Sequence, residues 1–217
     1  MNISDIRKEF PIFDDKIQNN DLVYLDSANS SQKPRVVVDR IYDFYTKEFS
    51  NVGRSVHYLA VAATNLYEQT RVSVQKYINA KDKDEIVFTK GATEAINLVA
   101  NTFGQKYLSE GDEVLLTELE HHSNYVPWHF LRKAKNIKIE FAEINNDGEV
   151  TLEAIEKKIT NKTKIISVSH LSNVTGAILP IKQIVQLAHS KNIPVLIDGC
   201  QGAPHLKLDM QDIDCDF

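Results

Sequence analysis

From Glu85 onward, short apolar runs alternate with amphipathic stretches. EIVF is followed by GATEAINLVANTF, EVLLTELE by NYVPWHFLRKAK, KIEFAEI by TLEAIEKKI, and KIISVSH by PIKQIVQLAHSK; IPVLID closes the series. The first members are rich in β-branched residues and too short for ordinary helices, so they read as strands, and the second members as helices. Strands that alternate with helices need right-handed crossovers and build a mainly parallel sheet covered by helices. The expected fold class is therefore α/β, with a mainly parallel sheet flanked by helices behind a helical N-terminal segment. In such sheets ligands gather beyond the C-terminal ends of the strands, so the residues after each strand are the candidates for chemistry.

The portion before Glu85 has a different pattern. Leu22 to Asp26 (LVYLD) reads as a short strand, followed by the turn-like SANSSQKP. Pro34 opens a helix over RVVVDRIYDFYTKEF. A second helix covers LAVAATNLYEQTRVSVQKYI, where Leu59, Ala63, Leu66 and Tyr67 recur at helical spacing as a core-packing stripe. With 42% hydrophobic and 25% charged residues, the chain has the composition of a soluble globular protein. Its net charge of -5 argues against a general nucleic-acid binder. The N-terminus has no signal-peptide core, and no run reaches membrane-span length. Two cysteines, Cys200 and Cys215, form neither a metal-ligand spacing nor a disulfide framework, which points to a reducing, cytoplasmic setting.

The strand ends carry distinctive residues. IPVLID drives Asp198 to the end of a buried strand, where it either caps the Asp-Gly turn or meets a cationic ligand. After EIVF, Gly91, Ala92 and Thr93 open a helix that can present backbone N–H groups and a hydroxyl to a phosphate; an ordinary N-cap is the alternative. After EVLLTELE come His121 and His122, of which one imidazole can serve as an acid, base or stacking plate. A metal site drawing on Glu120, His170 or His205 lacks any supporting ligand spacing. After KIISVSH, Asn173 either orients a ligand oxygen or shapes a turn, and Gln201 follows Asp198. Together these residues fit a ligand with phosphate at one end and a cationic nitrogen at the other. Pyridoxal phosphate is such a ligand: phosphate at Gly91–Thr93, ring nitrogen on Asp198, ring hydroxyl on Asn173 and Gln201, and His121 on the ring.

The stretches LVYLDSANSSQKP, FTKGATEAINLVA, ELEHHSNYVPW, SHLSNVTGAILP and IDGCQGAPHLKLDMQDIDCDF resemble, in this order and over nearly the whole chain, the class V aminotransferase-like proteins, and among them the SufS-type cysteine desulfurases. The resemblance implies a fold-type I pyridoxal phosphate homodimer that converts L-cysteine to L-alanine. It also implies a persulfide passed to a SufE- or SufU-type acceptor for iron–sulfur cluster assembly. Carried over by motif, Ala92 and Thr93 bind the phosphate, His121 is catalytic and lies on the ring, Asn173 and Gln201 contact the ring hydroxyl, and Asp198 pairs with the ring nitrogen.

On this basis residues 1–84 are an N-terminal segment at the site's rim and 85–217 part of the cofactor-binding large domain. The family's cofactor lysine, persulfide cysteine and small C-terminal domain would lie beyond Phe217, so this chain is expected to be inactive alone. The chain departs from the family in three places. Gly53-Arg54-Ser55-Val56-His57 stands where HRGxH is usual, and Asn29 and Cys200 stand where alanine is common. A selenocysteine lyase acting on L-selenocysteine, a kynureninase-like hydrolase and a non-catalytic fragment are the alternative readings.

Overall fold

The protein is described by a computed structural model covering residues 2–217. It divides into two compact units, one up to Ser73 and the other Val74–Phe217.

The first unit is helical. Helix α1 (Ile3–Lys8) starts at Asn2, whose Oδ1 accepts from Ser4 N, and is followed by a hairpin of β1 (Lys16–Ile17) and β2 (Asn20–Asp21). Gln18 and Asn19 turn this hairpin with φ of 52° and 65°, the left-handed pair that matches the twist of antiparallel strands. The strand expected over Leu22–Asp26 is not formed. Val23 and Leu25 are 76% and 91% exposed, and the segment joins no ladder among the described residues. Helix α2 (Arg35–Asp43) begins after Pro34, as expected, and widens into a π-helical turn at Phe44–Glu48. Helix α3 (Tyr58–Tyr77) matches the expected second helix and runs across the division between the units. Its stripe is only partly core: Ala63 is buried, Leu59 and Tyr67 are exposed, and Ala63, Leu66 and Tyr67 line a groove with Ile41 and Phe44 of the first unit.

The second unit is the expected α/β fold. Helix α4 (Ala92–Val99) passes through a π-helical turn at Ala100–Gly104 into α5 (Gln105–Tyr107). Four strands follow, β3 (Glu113–Thr117), β4 (Lys138–Ala142), β5 (Thr163–Ser169) and β6 (Val195–Asp198), parallel and ordered β4-β3-β5-β6. Between them run α6 (His122–Lys135), α7 (Leu152–Lys158) and α8 (Ile181–His189), with α9 (Gly202–His205) and α10 (Met210–Ile213) after β6. EIVF is not one of the strands of this sheet: Glu85 ends a 3-10 turn, and residues 86–89 carry no regular secondary structure. A strand exists only through its ladder, and the β6 edge is met instead by the chain's end. There Phe217 N donates to Val195 O, and Ile197 N donates to Phe217 O.

The period-two alternation of the strands sorts the core into two layers. Leu115, Ile166 and Val195 face one layer with Ile155 of α7 and Ile184 and Val185 of α8. Val114, Leu116, Ile165 and Leu196 face the other, with Ile96 of α4 and Trp128 and Leu131 of α6. Helix α6, which leaves β3, therefore covers one face, and α8, which leaves β5, covers the other. Since β3 and β5 are neighbours, their exits part on opposite sides of the sheet. That is a topological switch point, where a crevice opens beyond the strand ends.

Candidate active site

Glu120, at the elbow between β3 and α6, is the polar centre of this switch point. Thr117 Oγ1 donates to its Oε1 at 2.6 Å, Ser169 N to Oε1 at 3.0 Å, Ser169 Oγ to Oε2 at 2.8 Å, and Asn124 Nδ2 to Oε2 at 2.6 Å. One carboxylate thus ties together β3, α6 and β5. Burial pushes its pKa up, against the pull of these donors. Asn124 extends the network as its Oδ1 accepts from Ser167 Oγ at 2.5 Å and from Trp128 Nε1 at 3.3 Å. The sequence reading considered Glu120 only as a metal ligand and passed over Asn124, Ser167 and Ser169. A signal was available: two serines spaced by two on an otherwise apolar strand put a polar stripe on one face, and Glu120 and Asn124 share a helical i,i+4 spacing.

His121 caps α6. Its Nδ1 accepts from Ser123 N at 3.1 Å and lies 2.8 Å from Ser123 Oγ. Because Nδ1 accepts a backbone N–H, the neutral ring carries its proton on Nε2. His122 starts the helix with its ring centroid 6.1 Å away, tilted 58° from the first.

Asp198 ends β6 at 7% exposure. Its Oδ1 accepts from Cys200 N at 3.0 Å, so the turn-capping reading holds for one oxygen. Its carbonyl accepts from His170 N at 3.0 Å, which joins Asp198 to the residue after the Glu120-bound Ser169. A continuous chain of contacts thus runs from His121's neighbour across β5 to Asp198. Gln201 is the N-cap of α9, three residues on from Asp198. Asn173 is exposed in the loop that returns from Leu171 to Ile178, where Ser172 Oγ accepts from the N–H groups of Val174 and Thr175. Ala92 and Thr93 open α4, whose cap Gly91 has φ of 147° and offers no side-chain cap. Glu94 folds back to accept from Lys90 N at 2.5 Å, which leaves the first helical N–H groups uncapped.

The cysteines are not activated. Burial and the charge of Asp198 push the Cys200 thiol up, and burial does the same for Cys215, which packs against the α7/α8 core layer. Among the described residues no group of three or more His, Cys, Asp and Glu gathers as a metal site, and no helix is long and apolar enough to cross a membrane.

The donor set suits a pyridine bearing a phosphate. Asp198 is a buried acid that caps the turn through Oδ1, and the start of α4 offers N–H groups with no side-chain cap. The sequence profile of the aminotransferase class-V family matches residues 23–217. The chain belongs to that family. It is 45% identical, over its full length and 53% of the relative's, to a probable cysteine desulfurase of Halalkalibacterium halodurans. Among solved structures it is similar to an apo cysteine desulfurase of Thermococcus onnurineus, with TM-score 0.90, 34% identity and coverage of 100% of this chain and 52% of that one. It is also similar to the Escherichia coli cysteine desulfurase CsdA in its S-sulfonic acid form, with TM-score 0.87, 35% identity and coverage of 100% and 53%. The chain spans about half the length of the relatives it matches.

Proposed function

We propose that this chain carries the cofactor-binding site of a pyridoxal phosphate-dependent cysteine desulfurase of the SufS type. The reaction is conversion of L-cysteine to L-alanine in a cytoplasmic homodimer, with sulfur passed to a SufE- or SufU-type acceptor for iron–sulfur cluster assembly. The observation that carries this reading is the linkage of the His121 elbow to the buried Asp198 across the β3/β5 switch point. The likeness to cysteine desulfurases supports the choice of chemistry.

The backbone N–H groups of Ala92 and Thr93 and the Thr93 hydroxyl bind the phosphate. Asp198 holds a proton on the ring nitrogen, and Asn173 and Gln201 orient the ring through its hydroxyl. His121, rather than His122, lies on the ring and moves a proton at Nε2, since Nδ1 is engaged by Ser123. When bound, the cofactor supplies the electron sink that carbanion chemistry requires.

Titration of the protein with pyridoxal phosphate, followed by the cofactor's absorbance, tests this reading. Saturable binding is expected, with Asp198→Asn weaker by roughly tenfold for the loss of a charge-assisted contact. L-cysteine, and not D-cysteine, should then alter the spectrum of the loaded protein. Asp198→Asn binding as tightly as the parent would remove Asp198 from the site.

A further inference from the structure

His170 follows Ser169 at the end of β5 and is 8% exposed. Its backbone is fixed from both sides: His170 N donates to Asp198 O, and Leu179 N donates to His170 O, each at 3.0 Å. Ser169, just before it, is gripped by Glu120 through both N–H and hydroxyl. Its ring is treated differently. Among the described residues, Nδ1 of His170 is the one buried side-chain nitrogen or oxygen without a hydrogen-bond partner.

The cause is Gly202, the first residue of α9. A Cβ placed on Gly202 would come within 2.6 Å of His170 Nδ1 and 3.0 Å of Cγ. The imidazole therefore rests edge-on against bare backbone, and only glycine leaves room for it. A buried N–H without an acceptor costs more than a lone pair facing a C–H group, so Nδ1 is the bare nitrogen and the proton sits on Nε2. Burial also holds the pKa below the ordinary histidine value, which keeps the ring neutral. Among the described residues Nε2 has no hydrogen-bond partner, and it is not among the buried unpartnered atoms, so it keeps some contact with solvent. A phenyl ring would fill this seat without an orphaned nitrogen. The imidazole is useful only for the donor on its far side.

We propose that His170 is a further ligand-contacting residue of this site, a neutral imidazole sealed at Nδ1 by Gly202 that donates Nε2–H to an oxygen acceptor of the bound ligand. This rests on the reading of the site as a pyridoxal phosphate site. The acceptor is an oxygen of the cofactor or the carboxylate of the amino acid bound beside it, and the two are separated by experiment.

The first measurement is the tautomer, read by long-range proton–nitrogen NMR of the unliganded protein. A protonated Nε2 with bare Nδ1 is expected at neutral pH, and a protonated Nδ1 would overturn the proposal. The second is affinity, for pyridoxal phosphate alone and for L-alanine added to the loaded protein. Glutamine places an N–H near the position of Nε2 and asparagine does not. His170→Phe and His170→Asn should each lose roughly tenfold in one of the two affinities, and His170→Gln should stay within about twofold of the parent. Loss for pyridoxal phosphate assigns the cofactor oxygen, and loss confined to L-alanine assigns the carboxylate. If all three variants bind both probes as the parent does, His170 is only a packing residue and the proposal fails alone. If the parent itself binds no pyridoxal phosphate, the reading of the site fails and takes this proposal with it. The tautomer and the contrast between His170→Asn and His170→Gln decide the matter even if His170→Phe does not fold.

Discussion

The two units of this chain use similar residues to opposite effect. Among the described residues of the unit up to Ser73, the buried apolar ones are Ala60 and Ala63, while Ile3, Leu25, Val36, Tyr45, Phe49 and Val56 are all exposed. In Val74–Phe217, residues of the same types fill two layers against a parallel sheet, and Leu115, Trp128, Ile155 and Ile166 are fully buried. Apolar patterning decides which face of an element can be buried. Whether it is buried depends on a second surface of matching shape, and the sheet supplies one to its own helices. The most direct test sets a core residue of one unit against an apolar residue of the other. Trp128→Ala removes a side chain with no exposure and its hydrogen bond to Asn124, and should cost about 3–5 kcal/mol in urea unfolding. Val36→Ala, at a position 69% exposed on α2, should stay within about 0.5 kcal/mol. Equal losses would mean that the first unit is stabilised by burial after all.

The next effect distinguishes the switch-point network from the surface ion pairs of the first unit. Glu120→Gln replaces one acceptor oxygen by an amide that must face either Ser169 N–H or the Asn124 amide, donor against donor. It should cost about 1–3 kcal/mol near neutral pH. Arg40→Gln, which breaks the exposed pair with Glu48, should cost well under about 1 kcal/mol. The pH dependence has a definite sign. Burial raises the folded-state pKa of Glu120 above its unfolded value, so between the two values the folded protein binds more protons. This group's contribution is full below the unfolded pKa and is lost as pH rises through the folded one. The parent should therefore lose stability relative to Glu120→Gln over that interval, narrowing the gap between them. A gap that widens as pH rises there would contradict the direction.

The same contrast explains what could be read from the sequence. EVLL, KIEFA, KIISVS and IPVLID form the sheet because each has a neighbour, and the alternation that reveals them also sorts their side chains into the two layers. EIVF and LVYLD carry the same signal but are not strands of the sheet, since composition records a capacity for extended structure and not the place the fold gives it. The site divides in a similar way. His121 and Asp198 were visible because strand ends point to them. Glu120, Asn124 and Ser169 hold one another across three elements, so no local window contains their reason. His170 was visible only as a spare metal ligand, because its meaning depends on a glycine that lies 32 residues later and touches its ring.

The smallest test uses one chemistry in both units. Thr151 caps α7 through a hydrogen bond from Ala154 N at 3.2 Å, and Asn2 caps α1 through one from Ser4 N at 3.3 Å. Loss of such a cap destabilises a helix by about 1 kcal/mol. Global unfolding registers that loss only if the helix is part of what unfolds cooperatively. Helix α7 inserts Ile155 into the core with no exposure, whereas α1 buries no residue. Thr151→Ala should therefore lower the unfolding free energy by about 1 kcal/mol. Asn2→Ala should leave it unchanged and act locally instead, as faster amide exchange within Ile3–Lys8, because a helix without buried contacts already opens at little cost. If Asn2→Ala lowered global stability as much as Thr151→Ala, α1 would have to be coupled to a core, and the contrast between the units would have to be redrawn at α1.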